Sequence, residues 1–168
     1  AGYEVYVLNR NTKPQVQGVN LIEGDRHNLG GILKNTFFDV VADITAYNEK
    51  DIIDFVKELG SFGQYIMLSS SAVYPEHGVQ PFLEESEKSV NKIWGAYGTD
   101  KIAAETALLE RVNDAYILRP PYLYGPFNNI YRETFVFDCA LADRKFYLPK
   151  EGNMKLQFFH VKDLCRLM

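Results

Sequence analysis

The feature that most constrains this chain is the run Tyr65-Ile66-Met67-Leu68, an unbroken apolar stretch inside the segment Gln64 to Ser69. Such a strand has no polar face to offer water, so it must be covered on both sides, as in a parallel sheet flanked by helices. The rest of the chain supplies the alternation that this arrangement needs. Tyr3 to Leu8 is β-rich and stops at the polar turn Asn9-Arg10-Asn11; residues 19–23 form a second short strand halted by Gly24-Asp25; Asp39 to Ile44 is a third. Asn28 to Lys34 is expected to make one or two helical turns. Asn48 caps a helix whose Ile52, Ile53, Phe55, Val56 and Leu59 share one face, and Gly60 ends it. Residues 75–91 are polar, with Pro75, Pro81 and four glutamates, and read as a loop. A long helix is expected from about Gly98 to Val112 and a fifth strand from Ala115 to Leu118. A loop through Tyr124-Gly125-Pro126 then leads to a helix near 130–143. Short extended pieces are expected near 145–148 and 155–159, with a last helix from about Lys162. Strands alternating with helices predict an α/β, doubly wound parallel sheet.

Composition narrows the function classes. The chain has 168 residues, enough for one domain, and 46% of them are hydrophobic, enough for a core. A formal net charge of −4 excludes a basic nucleic-acid footprint over the whole chain, though not a local patch. No apolar run approaches the length of a membrane span. The first residues show no charged segment followed by an apolar one, so no secretory signal is visible. Cys139 and Cys165 lack metal-ligand spacing; no metal site is expected, and both read as reduced core thiols of a cytoplasmic protein.

The chemistry concentrates at Tyr97-Gly98-Thr99-Asp100-Lys101. Tyr and Lys four apart near a helix start share a face, so the ammonium can lie beside the phenol. A phenol with a pKa near 10 is a poor base at neutral pH, and a neighbouring cation lowers that value. The pair therefore suits proton exchange with an alcohol being oxidised or a carbonyl being reduced. Alone, the spacing is weak: eleven Tyr and eleven Lys supply about 0.7 such pairs by chance, and a solvated helix pair is the bland alternative.

Context adds weight. The strand at 65–68 runs into Ser69-Ser70-Ser71-Ala72-Val73-Tyr74-Pro75, and ligands of open α/β sheets bind beyond the carboxyl ends of strands. The next strand ends in Leu118-Arg119-Pro120-Pro121-Tyr122-Leu123-Tyr124-Gly125-Pro126, and Phe158-Phe159-His160-Val161-Lys162-Asp163-Leu164 comes later. Over nearly its whole length the chain resembles the extended short-chain dehydrogenases, the NAD-dependent epimerase/dehydratase family. The carriers are Ser-Ser-x-x-Val-Tyr, Tyr-x-x-x-Lys, Leu-Arg-Pro-x-x-x-Tyr-Gly-Pro and Phe-x-His-Val-x-Asp-Leu, in that order.

The resemblance implies roles residue by residue. Ser70 would hydrogen-bond the reacting substrate oxygen, and Tyr97 would be the acid/base. Lys101 would lower the pKa of Tyr97 and bind the nicotinamide ribose. Ser69 and Ser71 would contact cofactor or substrate, or only cap the strand end. Pro120 would border the nicotinamide. His160 and Asp163 would hold the last segment in place. After the first strand the family reads the adenosine ribose, and here Asn9 and Arg10 occupy that turn without a carboxylate. A basic residue there favours the 2′-phosphate, so the cofactor is NAD or NADP with a lean to NADP. Asp25, with Arg26 beside it, would meet the adenine. Tyr47 stands where many relatives carry small residues beside the pyrophosphate.

The family's first strand and glycine-rich loop, which receives the pyrophosphate, would precede Ala1. Residues 1–168 are thus expected to be the nucleotide-binding Rossmann domain, truncated at both ends, with the small C-terminal substrate domain absent. The implied function is hydride transfer at a carbinol carbon, often of a nucleotide sugar, leading to epimerisation, dehydration or reduction. A homodimer through the helix of Tyr97 is a family-based expectation. The alternative is a regulatory or RNA-binding protein on the same fold. The segments Val7-Leu8-Asn9-Arg10, Gly24-Asp25-Arg26 and Asp43-Ile44-Thr45-Ala46-Tyr47 resemble an atypical branch that includes chloroplast stem-loop-binding proteins. The complete Ser70, Tyr97 and Lys101 set favours the enzyme, and net acidity counts against RNA.

Overall fold

The computed structural model describes residues 2–153 and 155–168. They form two compact units, one reaching Leu118 and the other spanning Arg119–Met168. In the first unit, β1 (Tyr6–Asn9) pairs in parallel with β2 (Asn20–Glu23), bringing Asn9 opposite Glu23. A separate parallel sheet runs in the order β3 (Phe38–Asp43), β4 (Phe62–Leu68), β5 (Tyr116–Leu118). Among the described residues no ladder joins β1 to β3, although the rings of Tyr6 and Phe38 meet edge to face at 5.7 Å.

The apolar run that led the sequence reading is the centre of this unit. Tyr65, Ile66 and Met67 of β4 are all buried, as a strand covered on both faces requires. Two helices pack over the core. The first, α1 (Glu49–Glu58), begins where expected: Asn48 accepts from the Asp51 amide, while the Asp51 carboxylate accepts from the Asn48 amide, a reciprocal capping box. The second, α2 (Ala96–Leu109), buries Ala104, Ala107 and Leu108 against Ile52, Tyr65 and Met67.

Several sequence expectations change. Asn28 to Lys34 forms turns closed by Ile32 N–H to Leu29 O (3.3 Å) and Lys34 N–H to Gly31 O (3.0 Å), not helix. Gly30 and Gly31 adopt φ of 60° and 81°, which right-handed helix does not tolerate. The polar segment 75–91 has no regular structure yet is pinned. Tyr74 stacks on Phe82 with centroids 4.5 Å apart, the Ser89 amide donates to Val73 O, and buried Asn91 donates to Tyr74 O at 2.8 Å.

In the second unit, β6 (Tyr122–Tyr124) pairs in parallel with β7 (Phe158–His160), whereas residues 145–148 carry no strand. The helices α3 (Glu133–Leu141) and α4 (Val161–Leu167) complete it. Gly125 links two of the sequence motifs. Its φ is +120°, and a Cβ there would lie 2.8 Å from His160 Nε2. His160 rests on Tyr124 at 5.0 Å, and its Nδ1 accepts from the Lys162 amide, capping α4. The reading of both cysteines as core thiols holds for Cys139 alone, because Cys165 is exposed on the short α4. No described helix is long and apolar enough to cross a membrane.

Candidate functional site

The carboxyl end of β4 delivers three consecutive serines into a 3₁₀ turn over Ser71–Val73. Ser70 is extended there, and its Oγ accepts from the Ala72 amide at 3.2 Å, which caps the turn. Ser69 faces inward. Its amide donates to Leu118 O at 2.7 Å, and its hydroxyl donates to the fully buried Glu105 carboxylate at 2.6 Å. Glu105 also accepts from Lys88 at 3.0 Å, so one carboxylate fastens the serine tip, α2 and the polar segment together.

The start of α2 packs directly on this turn. A Cβ on Gly98 would fall 2.6 Å from Ala72 O, a backbone atom, so only glycine permits the approach. Tyr97 precedes it, 38% exposed, and its hydroxyl has no hydrogen-bond partner among the described residues. The Tyr97 ring lies 6.0 Å from Trp94 and 6.5 Å from Tyr47.

Lys101, one turn on, is 2% exposed. Its ammonium donates to Ala46 O at 2.6 Å and Leu68 O at 2.9 Å, the main chain just past β3 and at the tip of β4. Tyr47 covers it, the ring centroid 4.9 Å from Nζ. Burial lowers the Lys101 pKa below the ordinary lysine value, opposed by the charges of Asp43, Asp51 and Glu105. Among the described residues no hydrogen bond joins the ammonium to the Tyr97 hydroxyl.

The residues expected at the adenosine end divide. Arg10 is exposed and has no described partner. Asn9 exchanges hydrogen bonds with Gln15 and accepts from the Asn11 amide, and a cavity of about 280 Å³ opens between Asn9, Thr12, Lys13, Pro14 and Gln15. Pairing with β2 also brings a carboxylate that the turn itself lacks: Glu23 accepts from Asn11 at 2.9 Å. Asp25 is exposed and holds the His27 amide. Arg26 turns into the fold. It grips buried Asp43 with both terminal nitrogens (3.0 and 2.7 Å) and reaches Thr45 Oγ1 and Asp51 O. Tyr65 donates to the same Asp43 carboxylate at 2.7 Å. Burial first, and the Asp43 charge next, push the Tyr65 phenol far above its ordinary pKa. Pro120 belongs to the second unit, in the half-buried stretch leading into β6.

Residues 34–168 match the profile of the NAD dependent epimerase/dehydratase family. The chain belongs to that family. Its α/β, Rossmann-like fold with parallel sheets is shared with solved structures. One is the Bordetella bronchiseptica enzyme WbmG in complex with NAD and UDP, with a TM-score of 0.71 at 18% identity, covering 99% of this chain and 59% of that one. Another is dTDP-glucose 4,6-dehydratase from Bacillus anthracis in complex with NAD, with a TM-score of 0.75 at 17% identity, covering 98% of this chain and 61% of that one. Chloroplast stem-loop binding protein of 41 kDa b from Arabidopsis thaliana is 31% identical over 150 residues, which is 86% of this chain and 38% of that protein.

Within this family member, sequence reasoning passed over Glu105 and the carbonyls that hold Lys101. Glu105 had a signal, since 97, 101 and 105 lie at successive i+4 positions on one face of α2. The carbonyls had none, because any residue type supplies them.

Proposed function

We propose that this chain carries the nicotinamide-dinucleotide site of an epimerase, dehydratase or reductase acting at a carbinol carbon, with a nucleotide sugar as substrate. The observation that supports this most is the contrast along one face of α2. The Tyr97 phenol is half-exposed, its hydroxyl without a hydrogen bond among the described residues, while Lys101 is buried against main chain at the tips of neighbouring parallel strands. The donor set fits a dinucleotide: Lys101 and Tyr97 would face the nicotinamide ribose, and Asn9, Arg10 and Asp25 the adenosine half. A bound nicotinamide would supply the taking up and return of hydride. Tyr97 would move the proton at the substrate hydroxyl, and Ser70 would hold the oxygen in place. The solved relatives bound to NAD, one of them also holding UDP, lend support to both ligand classes.

Tyr97→Phe is expected to lower turnover about a hundredfold or more while leaving the dissociation constant for cofactor nearly unchanged. Undiminished turnover in that variant refutes the assignment. Mass spectrometry of ligands that co-purify with the protein identifies cofactor and substrate class together. For the adenosine end, the free Arg10 favours NADP. Arg10→Ala should weaken NADP binding and spare NAD; equal loss of both overturns that preference.

A second reading is favoured by the Arabidopsis relative, named for stem-loop binding. On that reading the fold binds RNA or regulates, and titration of a labelled RNA stem-loop against the wild type and Tyr97→Phe separates the two: turnover with no RNA binding supports the enzyme.

A further inference from the structure

The Lys101 ammonium has three N–H donors. Two of them end on Ala46 O and Leu68 O, and the aromatic face of Tyr47 sits over the charge. Tyr47 is itself 53% exposed, so it meets solvent as well as the buried cation. The main chain at Tyr47 is anchored. The Tyr47 amide donates to Asp51 at 2.6 Å, and Asp51 belongs to the capping box of α1. No carboxylate makes an ion pair with Lys101 among the described residues. The cation is therefore contacted directly by two carbonyls and one π-face, while the charges of Asp43, Asp51 and Glu105 act on it from further off.

We infer that Tyr47 is a positioning residue, a cover over Lys101 that a dinucleotide must displace before the ammonium can reach a ribose hydroxyl. The proposal rests on the reading of Lys101 as a cofactor-binding cation. Two carbonyl bonds fix where the ammonium sits, and the third donor is the one free to be exchanged. While the ring stays in place, its centroid lies 4.9 Å from Nζ. Displacing it costs the cation–π contact, so the cover sets affinity as well as access. A small residue at position 47 would remove that cost, whereas phenylalanine would keep it because the ring, not the hydroxyl, makes the contact.

The test uses two readouts. The first needs no cofactor: acetic anhydride labelling of the purified protein, with the rate at Lys101 read by peptide mass spectrometry. Tyr47→Ala should be acetylated at Lys101 several-fold faster than wild type, and Tyr47→Phe at the wild-type rate. Both variants keep the position-47 amide that Asp51 accepts from, and far-ultraviolet circular dichroism checks that each is folded. The second readout is NADH and NADPH binding by fluorescence titration. Loss of the cation–π contact predicts about two- to thirty-fold tighter binding for Tyr47→Ala and no change for Tyr47→Phe. Unchanged labelling in Tyr47→Ala overturns the cover. Faster labelling with weaker cofactor binding also overturns the proposal, since the ring would then be part of the binding surface. If wild type binds neither nucleotide, the dinucleotide reading fails while the labelling result still decides whether Tyr47 shields Lys101.

Discussion

At the scale of single residues, the strongest commitments in this protein are buried charges, and their partners decide what each can do. Asp43 receives both arms of Arg26 and the Tyr65 hydroxyl while being only 4% exposed. Removing one member of a buried pair strands the other, so Asp43→Asn is expected to cost about 3–5 kcal/mol. Tyr65→Phe removes one donor and should cost about 1–3 kcal/mol, both read from denaturant midpoints. Lys101 titrates in the opposite sense from a salt-bridged lysine. Its folded-state pKa is lowered, chiefly by burial. Between that value and the ordinary lysine value of about 10.4, the unfolded chain binds more protons, so stability rises with pH. The stability difference, wild type minus Lys101→Met, should therefore move in favour of wild type as pH climbs towards the lysine range. A difference independent of pH would contradict the lowered value. None of these partnerships was legible beforehand. Arg26 was read at the adenine because Gly24-Asp25-Arg26 resembles a nucleotide-binding segment, and its Asp43 partner lies seventeen positions away, at the end of β3. Lys101 stood out in the sequence through its spacing from Tyr97, but its carbonyl partners carry no side-chain signature.

At the scale of elements, legibility follows how local the determinants are. The capping box of α1 is written within four residues, Asn48 to Asp51, and its start was read to the residue. Asn48→Ala should cost about 1 kcal/mol of stability, measured by thermal unfolding. The turns at 28–34 were misread as helical because the apolar spacing of Leu29, Ile32 and Leu33 fits both, and the deciding fact is the positive φ at Gly30 and Gly31. The strand β6 was missed because its partner β7 lies more than thirty residues on. In α2 the informative residue is Gly98. Helix propensity favours alanine there by about 1 kcal/mol. A Cβ 2.6 Å from Ala72 O cannot be relieved by a side-chain rotation, and such overpacking costs about 1–3 kcal/mol. Gly98→Ala should therefore be destabilising, and it should lower turnover by shifting Tyr97 relative to the Ser70 turn. A more stable, fully active variant would show that the helix start and the serine tip tolerate separation.

At the scale of the whole molecule, the residues proposed for chemistry gather where β3 and β4 end, and the unit that carries them is not uniformly secured. β4 is paired on both sides, by β3 and β5, and its Tyr65 and Met67 side chains are fully buried. Among the described residues, β1 and β2 pair only with each other, as do β6 and β7 in the second unit. Two-stranded pairings are marginal by themselves, whereas a central strand opens only when its neighbours do. The serine tip is tied to the strong part: Ser69 bonds Leu118 of β5 and Glu105 of α2, and Glu105 reaches Lys88 in the polar segment. The adenosine turn at Asn9 and Arg10 hangs on the weak part, held by the β1–β2 ladder and a few side-chain bonds. Native-state hydrogen exchange should show the amides of β4 as the slowest, with β1, β2, β6 and β7 exchanging earlier by local opening. A nicotinamide dinucleotide that spans the first unit should then slow β1 and β2 more than β4, because a ligand protects most where it must order what was opening. Equal protection of β1 and β4 without ligand would mean that the two sheets of the first unit open together. Protection by cofactor confined to β4 would mean that the adenosine turn takes no part in binding.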